Sequence, residues 1–265
     1  MMNDLPAFLQ QLPPITLEEM SAVKLMNRTD TKYLLNQDVL YRLARHWQGH
    51  FYVQVVDNKL ISDYKTLYFD TPNALMFTIH HNKKLHRQKV RQRYYVNSDI
   101  TFCEIKTKHN TGKTKKKRIL IPNDCWGDLY HNQEMADFIR NKVWVTEETL
   151  IPRIQNTFQR ITLVDTAKTE RVTIDFNIHF HNLVTLCDAD VSNLVIVEVK
   201  QDGLAHSFFS QLLRNEHVLS KSISKYCLGM LLTQPNIKYN RFKSKIRYIS
   251  KLINKNLTIK AIKND

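Results

Sequence analysis

The sequence predicts an α+β protein: an eight-stranded antiparallel β-barrel with flanking α-helices. Three observations lead there. Eight segments alternate polar and apolar residues at the strand period of two. Helical patterns fill the gaps between them. The polar faces of several strands concentrate Arg and Lys with a few acids, instead of mixing Ser, Thr, Gln and both charges.

Taken in order, "ITLEEM" sets Thr16 three residues before Glu19, a capping-box signal for a short first helix. Strands are then expected over 28–35, 64–70, 88–96, 100–108, 115–121, 154–164, 171–180 and 193–200. Helices are expected over 38–47, 126–140, 207–219 and 224–232, the last opened by Ser224 as N-cap. In "RVTIDFNIHF" the alternation is clearest, with Val172, Ile174, Phe176, Ile178 and Phe180 sharing a face. "TGKT" at 111–114 ends like a phosphate-binding loop but has Thr107 where that pattern needs glycine, so it is expected to be a hairpin turn. No repeat, low-complexity linker or composition break appears before the last thirty residues, so one β-rich domain is expected.

The chain has 265 residues and a formal net charge of +14, which calls for an anionic partner. Residues 238–265 hold nine Lys or Arg and one acid, so the body is cationic as well. The four cysteines are widely spaced with no Cys-x-x-Cys pair, which argues for a reducing, cytoplasmic compartment and against structural zinc. With no apolar run near the roughly 20 residues that span a bilayer, and no signal-peptide pattern, a soluble protein is expected. Nucleic acid is a poor fit, because no helix-turn-helix, RNA-binding aromatic motif or zinc knuckle is recognisable.

Sorting strand residues by face sharpens the charge argument. One face of "RTDTKY" carries Arg28, Asp30 and Lys32, and one face of "KVRQRYY" carries Lys89, Arg91 and Arg93. "FCEIKTK" aligns Glu104, Lys106 and Lys108, and "IVEVK" aligns Glu198 and Lys200; Arg160 and Arg171 add two cations. An antiparallel sheet can simply turn such a face to water. Closing it into a barrel hides the edges and can place that face inside, where the cations need a polyanion to fill the lumen. A phosphate chain with a divalent cation meets that need: Arg and Lys grip phosphate oxygens and the carboxylates hold the metal.

In order along the chain, "RTDTKY", "TLYFDTP", "KVRQRYY", "FCEIKTK", "KKKRI", "RITLVD", "RVTID", "IVEVK" and "SKYCLGM" resemble the VTC-type polyphosphate polymerase domain, a branch of the triphosphate tunnel metalloenzymes (the CYTH-like superfamily). The resemblance covers about residues 24–232. It implies a lead-in over 1–23, a tunnel domain over 24–235 and a basic amphipathic tail over 236–265. It also implies transfer of the ATP γ-phosphoryl group to a growing polyphosphate chain, with Mn²⁺ or Mg²⁺. By motif, Lys32, Arg91, Arg93, Lys106, Arg160, Arg171, Lys200 and Lys225 are expected to bind phosphates. Lys116 and Arg118 are expected to face inward, with Lys89, Arg28 and Ser224 completing the set. Glu198 is the expected metal ligand, with Glu104 beside it. Hydrolytic relatives carry Glu-x-Glu-x-Lys on the first strand; Arg28 replaces the leading carboxylate here, which favours polymerase over triphosphatase and leaves a non-catalytic polyphosphate-binding module as the third reading.

Three other features have plainer explanations. His179 and His181 lack a third ligand nearby, His80 and His81 are expected in a loop, and Asp175 is expected either to orient an arginine or to anchor the barrel rim. Ile246, Ile249, Leu252, Ile253 and Leu257 space a basic amphipathic helix that packs on the domain or touches an anionic membrane, beside a membrane-protein partner in such relatives.

Overall fold

Alternation of apolar and polar side chains builds a single sheet. The computed structural model describes residues 5–21, 28–144, 149–203 and 207–257. Its elements are α1 (Leu5–Gln10), β1 (Pro14–Ile15), α2 (Leu17–Ser21), β2 (Arg28–Asn36), α3 (Gln37–Ala44), β3 (Phe51–Gln54), β4 (Ser62–Asp70), α4 (Leu75–His81), β5 (Arg87–Tyr95), β6 (Ile100–Lys108), β7 (Thr114–Ile121), α5 (Gln133–Lys142), β8 (Ile151–Asp165), β9 (Glu170–Asn182), β10 (Asp188–Val191), β11 (Leu194–Asp202), α6 (Phe208–Asn215), α7 (Lys225–Thr233) and α8 (Lys243–Leu252). The main path is β2-β11-β9-β8-β4-β5-β6-β7, antiparallel at every step, and its members are the eight strands expected from alternation. Three short strands add to it unforeseen: β1 beside β3, β3 beside β8, and β10 beside β9.

Where β2, β5, β6, β8, β9 and β11 carry charge on one parity, the apolar parity turns outward, and β7 joins the outer layer only through Ile119 and Ile121. Under one wall, Tyr33, Leu35, Ile161, Leu163, Val172, Ile174, Val195, Val197 and Val199 pack with helices α1, α3 and α6. Under the other, Leu67, Phe69, Val90, Cys103 and Ile105 pack with α5. The opposite parity, which holds the charges, is left on the inside of the curl. Burying both outer walls against helices fixes the register, because a one-residue slip would move the charges into those apolar layers.

The ends of the path, β2 and β7, are not hydrogen-bonded to each other among the described residues. The free edge of β2 is covered by the segment before α7, where Tyr33 bridges Ser220 and the Lys221 N–H donates to the Lys32 carbonyl at 2.8 Å. Helix α7 closes one end of the curl from within. Its apolar side meets inner-face residues Leu34, Tyr68, Ile154, Ile178, Phe180 and Ile196. Asp70 at the end of β4 ties α7 down: it accepts from the Tyr226 hydroxyl and from the Met76 and Phe77 N–H groups at 2.8 and 2.9 Å, so it also caps α4. The "FDTP" and "SKY" motifs are thereby one structural joint.

Several expectations change. The apolar face foreseen for β9 splits: Val172, Ile174 and Phe176 face outward, whereas Ile178 and Phe180 face the inside. The cause is a bulge at Asn177, whose φ of 50° inserts one extra residue opposite β8. His80 and His81 are in α4 and not in a loop, and His81 is buried beside Phe77 and Phe242. Helix α5 starts at Gln133 instead of 126, because Asn132 caps it by accepting from the Met135 N–H at 2.8 Å. The capping box does form, with the Thr16 N–H donating to Glu19 at 2.7 Å and the Glu19 N–H to Thr16 Oγ1 at 3.2 Å. The "TGKT" segment is the β6–β7 turn. In the tail, α8 buries Ile246 and Ile249, with Ile253 just beyond, against the α7 cluster, so its apolar stripe is used by the fold and basic residues remain outside. The start expected at residue 24 and the tail beyond residue 257 lie outside the described residues. No helix among the described residues is long and apolar enough to cross a membrane.

Gly229 marks the closest approach of α7 to the sheet. A Cβ there would sit 2.7 Å from Ile154 Cγ2 and 2.8 Å from Phe180 Cδ1. Gly229→Ala is expected to cost about 1–3 kcal/mol of stability and so lower the urea midpoint, overpacking outweighing the gain in helix propensity. An unchanged or raised midpoint would contradict the close packing.

Candidate functional site: a cation-lined tunnel

The inner face is charged because six strands deliver their long polar side chains to it in register. Arg91 on β5 stands opposite Glu104 on β6, and Lys89 opposite Lys106. Glu104 stands in turn opposite Arg118 on β7, and Lys106 opposite Lys116. Across the curl, Glu198 on β11 lies between Lys32 on β2 and Thr173 on β9, and Lys200 lies between Asp30 and Arg171. Although four strands separate β6 from β11 along the path, Lys106 and Glu198 are close enough to shift each other's protonation, and the charge of Lys32 on β2 reaches Lys89 on β5. The charged walls therefore face one another across a tunnel.

Two carboxylates are locked. Glu104, fully buried, accepts from Arg91 Nε at 2.7 Å and from Lys116 Nζ at 2.9 Å, so both oxygens are engaged. Asp175 accepts from Arg160 Nη2 at 2.8 Å and from Lys225, which extends from the first turn of α7. Burial works against ionising both acids, but Arg91 and then Arg93 outweigh it at Glu104, and Arg160 and then Lys225 at Asp175; both end well below the usual carboxylate range. Burial likewise disfavours the charged guanidiniums of Arg91 and Arg160, yet Glu104 and Asp175 hold both above the ordinary arginine value. Each acid fixes one arginine.

Glu198 differs. Lys32 Nζ is 3.5 Å from one oxygen and Lys200 Nζ is 3.8 Å from the other, both beyond a strong hydrogen bond. Burial raises its pKa, but Lys32, Lys200 and Lys106 bring it down to about 2. An ionised carboxylate with loosely held oxygens can take a hard cation alongside substrate phosphates. At Glu104 a cation would first have to displace Lys116.

The remaining cations are crowded. Arg93 donates to Thr66 Oγ1 at 3.3 Å, and burial followed by the charge of Arg91 lowers its pKa. Lys106 falls to about 6 through Arg91 first and burial second. Burial is the first cause at Lys225, Lys89 and Lys200, which fall to about 7, 8 and 8. Lys89 is steered by the α7 N-cap, donating to Ser224 Oγ at 2.9 Å. Arg118 is at the exposed margin with its guanidinium 4.3 Å from the Phe102 ring centroid. Arg171 shares the inner face at its strand position, while the side chain of Arg28 lies outside the described residues.

Aromatic residues form a floor that the motif reading missed. Tyr64 and Phe158 stack with centroids 5.1 Å apart; the Arg160 guanidinium lies 4.9 Å from the Tyr64 ring and Lys225 Nζ 4.0 Å from the Phe158 ring. Their parity was available, since Tyr64, Thr66 and Tyr68 alternate on β4 opposite the arginine strand. Asp175 takes the orienting role, holding Arg160 and Lys225 together. His179 and His181 meet Asp190 and Asp188 of β10 at the surface, 3.1 and 2.9 Å away.

A model of the VTC domain family matches residues 27–234, and the chain belongs to that family. None of the curated proteins matches it. Among solved structures it is similar to the PH1819 protein of Pyrococcus horikoshii OT3 (10% identity, TM-score 0.42, covering 76% of this chain and 97% of that one). It is also similar to a suggested adenylate cyclase of Vibrio parahaemolyticus (12%, 0.43, 77% and 99%). A third is a suggested adenylyl cyclase from Hippeastrum with a dominant triphosphatase activity (11%, 0.46, 77% and 95%).

Crowding sets a pH dependence. The inner lysines, depressed below the ordinary 10.5, release protons in the folded state that the unfolded chain keeps. The unfolded state therefore binds more protons above about pH 6, and stability rises with pH. Without added anion, the Tm is expected to climb by several degrees between pH 6 and 8.5. Tripolyphosphate, which returns the lysines to their charged form, is expected to raise Tm most at pH 6 and flatten the profile. A Tm that falls with pH over this interval would contradict the crowding.

Proposed function

We propose that the protein is a metal-dependent polyphosphate polymerase that transfers the γ-phosphoryl group of ATP to the end of an inorganic polyphosphate chain held in the tunnel. The observation that carries this reading is the opposition of Arg91, Arg93 and Lys106 on one wall to Arg160, Lys200 and Lys225 on the other. Few acids offset them, and apolar layers lie outside both walls. Such a lining matches a linear anion with negative charge along its whole length.

Phosphoryl transfer needs positioning and charge neutralisation more than a protein nucleophile. An oxygen of the chain's terminal phosphate attacks the γ-phosphorus, the bond to the β–γ bridging oxygen breaks, and ADP leaves with that oxygen. The attacking phosphate is already ionised, so no general base is required. Arg91, fixed by Glu104, and Arg160, fixed by Asp175, present guanidiniums at set positions. Lys106, Lys200 and Lys225 regain full charge as phosphates arrive. Glu198, the carboxylate with the most weakly engaged oxygens, would hold the divalent cation, manganese or magnesium. That ion, when bound, neutralises charge on the phosphate oxygens. The first strand supports transfer over hydrolysis: it offers Asp30 but has Arg28 where hydrolytic relatives have a carboxylate, leaving no paired acids to activate water. Adenine nucleotide and polyphosphate are then the partners. A membrane contact through the tail would be electrostatic, since the apolar stripe of α8 is occupied.

Incubation with ATP and Mn²⁺ is expected to give long-chain polyphosphate on gels. Lys200→Ala and Arg91→Ala are expected to lower the rate at least about 100-fold, the usual cost of removing a transition-state charge partner; the pair is needed because Arg91→Ala also strands Glu104. Orthophosphate as the sole inorganic product would establish hydrolysis, and polymer formed equally by both variants would displace the site. Glu198→Gln is expected to abolish metal-dependent turnover while retaining tripolyphosphate binding by calorimetry. Binding without turnover in the wild type would leave only the binding-module reading.

A further inference from the structure

The tunnel accounts for inward cations, whereas β7 carries cations on both faces. Lys116 and Arg118 share the inner parity; Lys115 and Lys117 stand opposite Thr107 and Ile105 on the outer one. With the end of α5 they ring a cavity of about 340 Å³ on the outside of the barrel. Ile105, Val143 and the Trp144 indole form its apolar part, and the exposed His86 imidazole stacks on the indole with centroids 3.4 Å apart. Lys142 is the third lysine among its lining residues.

This wall is held in place and is no accident of loose side chains. Gln88, buried on β5, donates to the Lys142 carbonyl at 2.7 Å and to Thr107 Oγ1 at 2.9 Å, and accepts from the Trp144 N–H at 2.9 Å. One side chain thus clamps the end of α5 onto β5 and β6. Among the described residues, no carboxylate pairs with Lys115, Lys117 or Lys142.

We propose that this outer pocket is a nucleotide-binding site separate from the tunnel, taking a base against Trp144 and His86 and its phosphates on Lys115, Lys117 and Lys142. Each half of the pocket argues for one half of the ligand. A bare phosphate chain gains nothing from Ile105, Val143 and the indole, and an uncharged ring leaves three lysines that, among the described residues, pair with no carboxylate. Alternate residues on a strand are about 7 Å apart, a spacing that a di- or triphosphate spans. The site does not depend on the chemistry proposed for the tunnel.

Fluorescent mant-ADP is the probe, with energy transfer from Trp144 as the readout, and the tunnel is first filled with tripolyphosphate to the equivalence point found by calorimetry. Trp47 is buried among the helices, and Trp126 is the only other indole. One mant-ADP per chain is expected to bind, with affinity reduced at least tenfold in Lys115→Ala/Lys117→Ala and in Trp144→Ala. Tripolyphosphate affinity and Tm are expected to stay unchanged in both variants, whose residues are exposed. No binding with the tunnel filled, or binding that both variants leave intact, would overturn the proposal. Equal displacement by further tripolyphosphate would overturn the nucleotide assignment, because the pocket would then be reading phosphate alone.

Discussion

Like charges held together inside a barrel are the constraint on which the rest of this structure depends. Arg91, Arg93, Lys106, Arg160 and Lys200 face a common space with Lys225 of α7 because β5, β6, β8 and β11 spend their other parity on apolar layers under helices. Neither face can be exchanged. Turning the charged face out would put Val197, Val172 and Val90 in water and drive ammonium groups into the helix layers. The hydrophobic effect on the outside therefore confines cations on the inside, against their mutual repulsion and lost hydration.

The acids divide the resulting work. Glu104 and Asp175 each give both oxygens to two cations, which keeps one guanidinium per wall charged and oriented at moderate cost. Lys89, Lys106 and Lys200 have no such partner and are depressed by burial and neighbouring cations, so an anion between the walls restores their charge. Glu198 stands apart because its lysine neighbours stay 3.5 Å or more away. Helix α7 links these functions to the fold: its apolar side seals one end, Tyr226 locks it to Asp70, and its first turn delivers Lys225 to Asp175.

Period-two alternation made the eight path strands and the inward parity of Lys89, Arg91, Arg93, Glu104, Lys106, Glu198 and Lys200 legible in the sequence. It failed where the period itself breaks. At Asn177 a positive φ adds one residue, so Ile178 and Phe180 cross to the inside although the letters alternate without interruption. The short strands β1, β3 and β10 carry too few residues to display a period. Helix α4 was hidden because its cap is Asp70, set five residues before Leu75 rather than next to it. Pairing was beyond reach for another reason: alternation says which way Asp175 and Glu104 point, but only the curl of the sheet decides that each meets two cations while Glu198 meets none closely.

The most direct test of the confined-charge account is a crystal structure with tripolyphosphate and Mn²⁺. The account predicts a phosphate chain inside the curl, touched by Arg91, Arg93 and Lys106 from one wall and by Arg160, Lys200 and Lys225 from the other, with the metal at Glu198. Tripolyphosphate bound only on the outer surface, with the inner cations still apart, would contradict it.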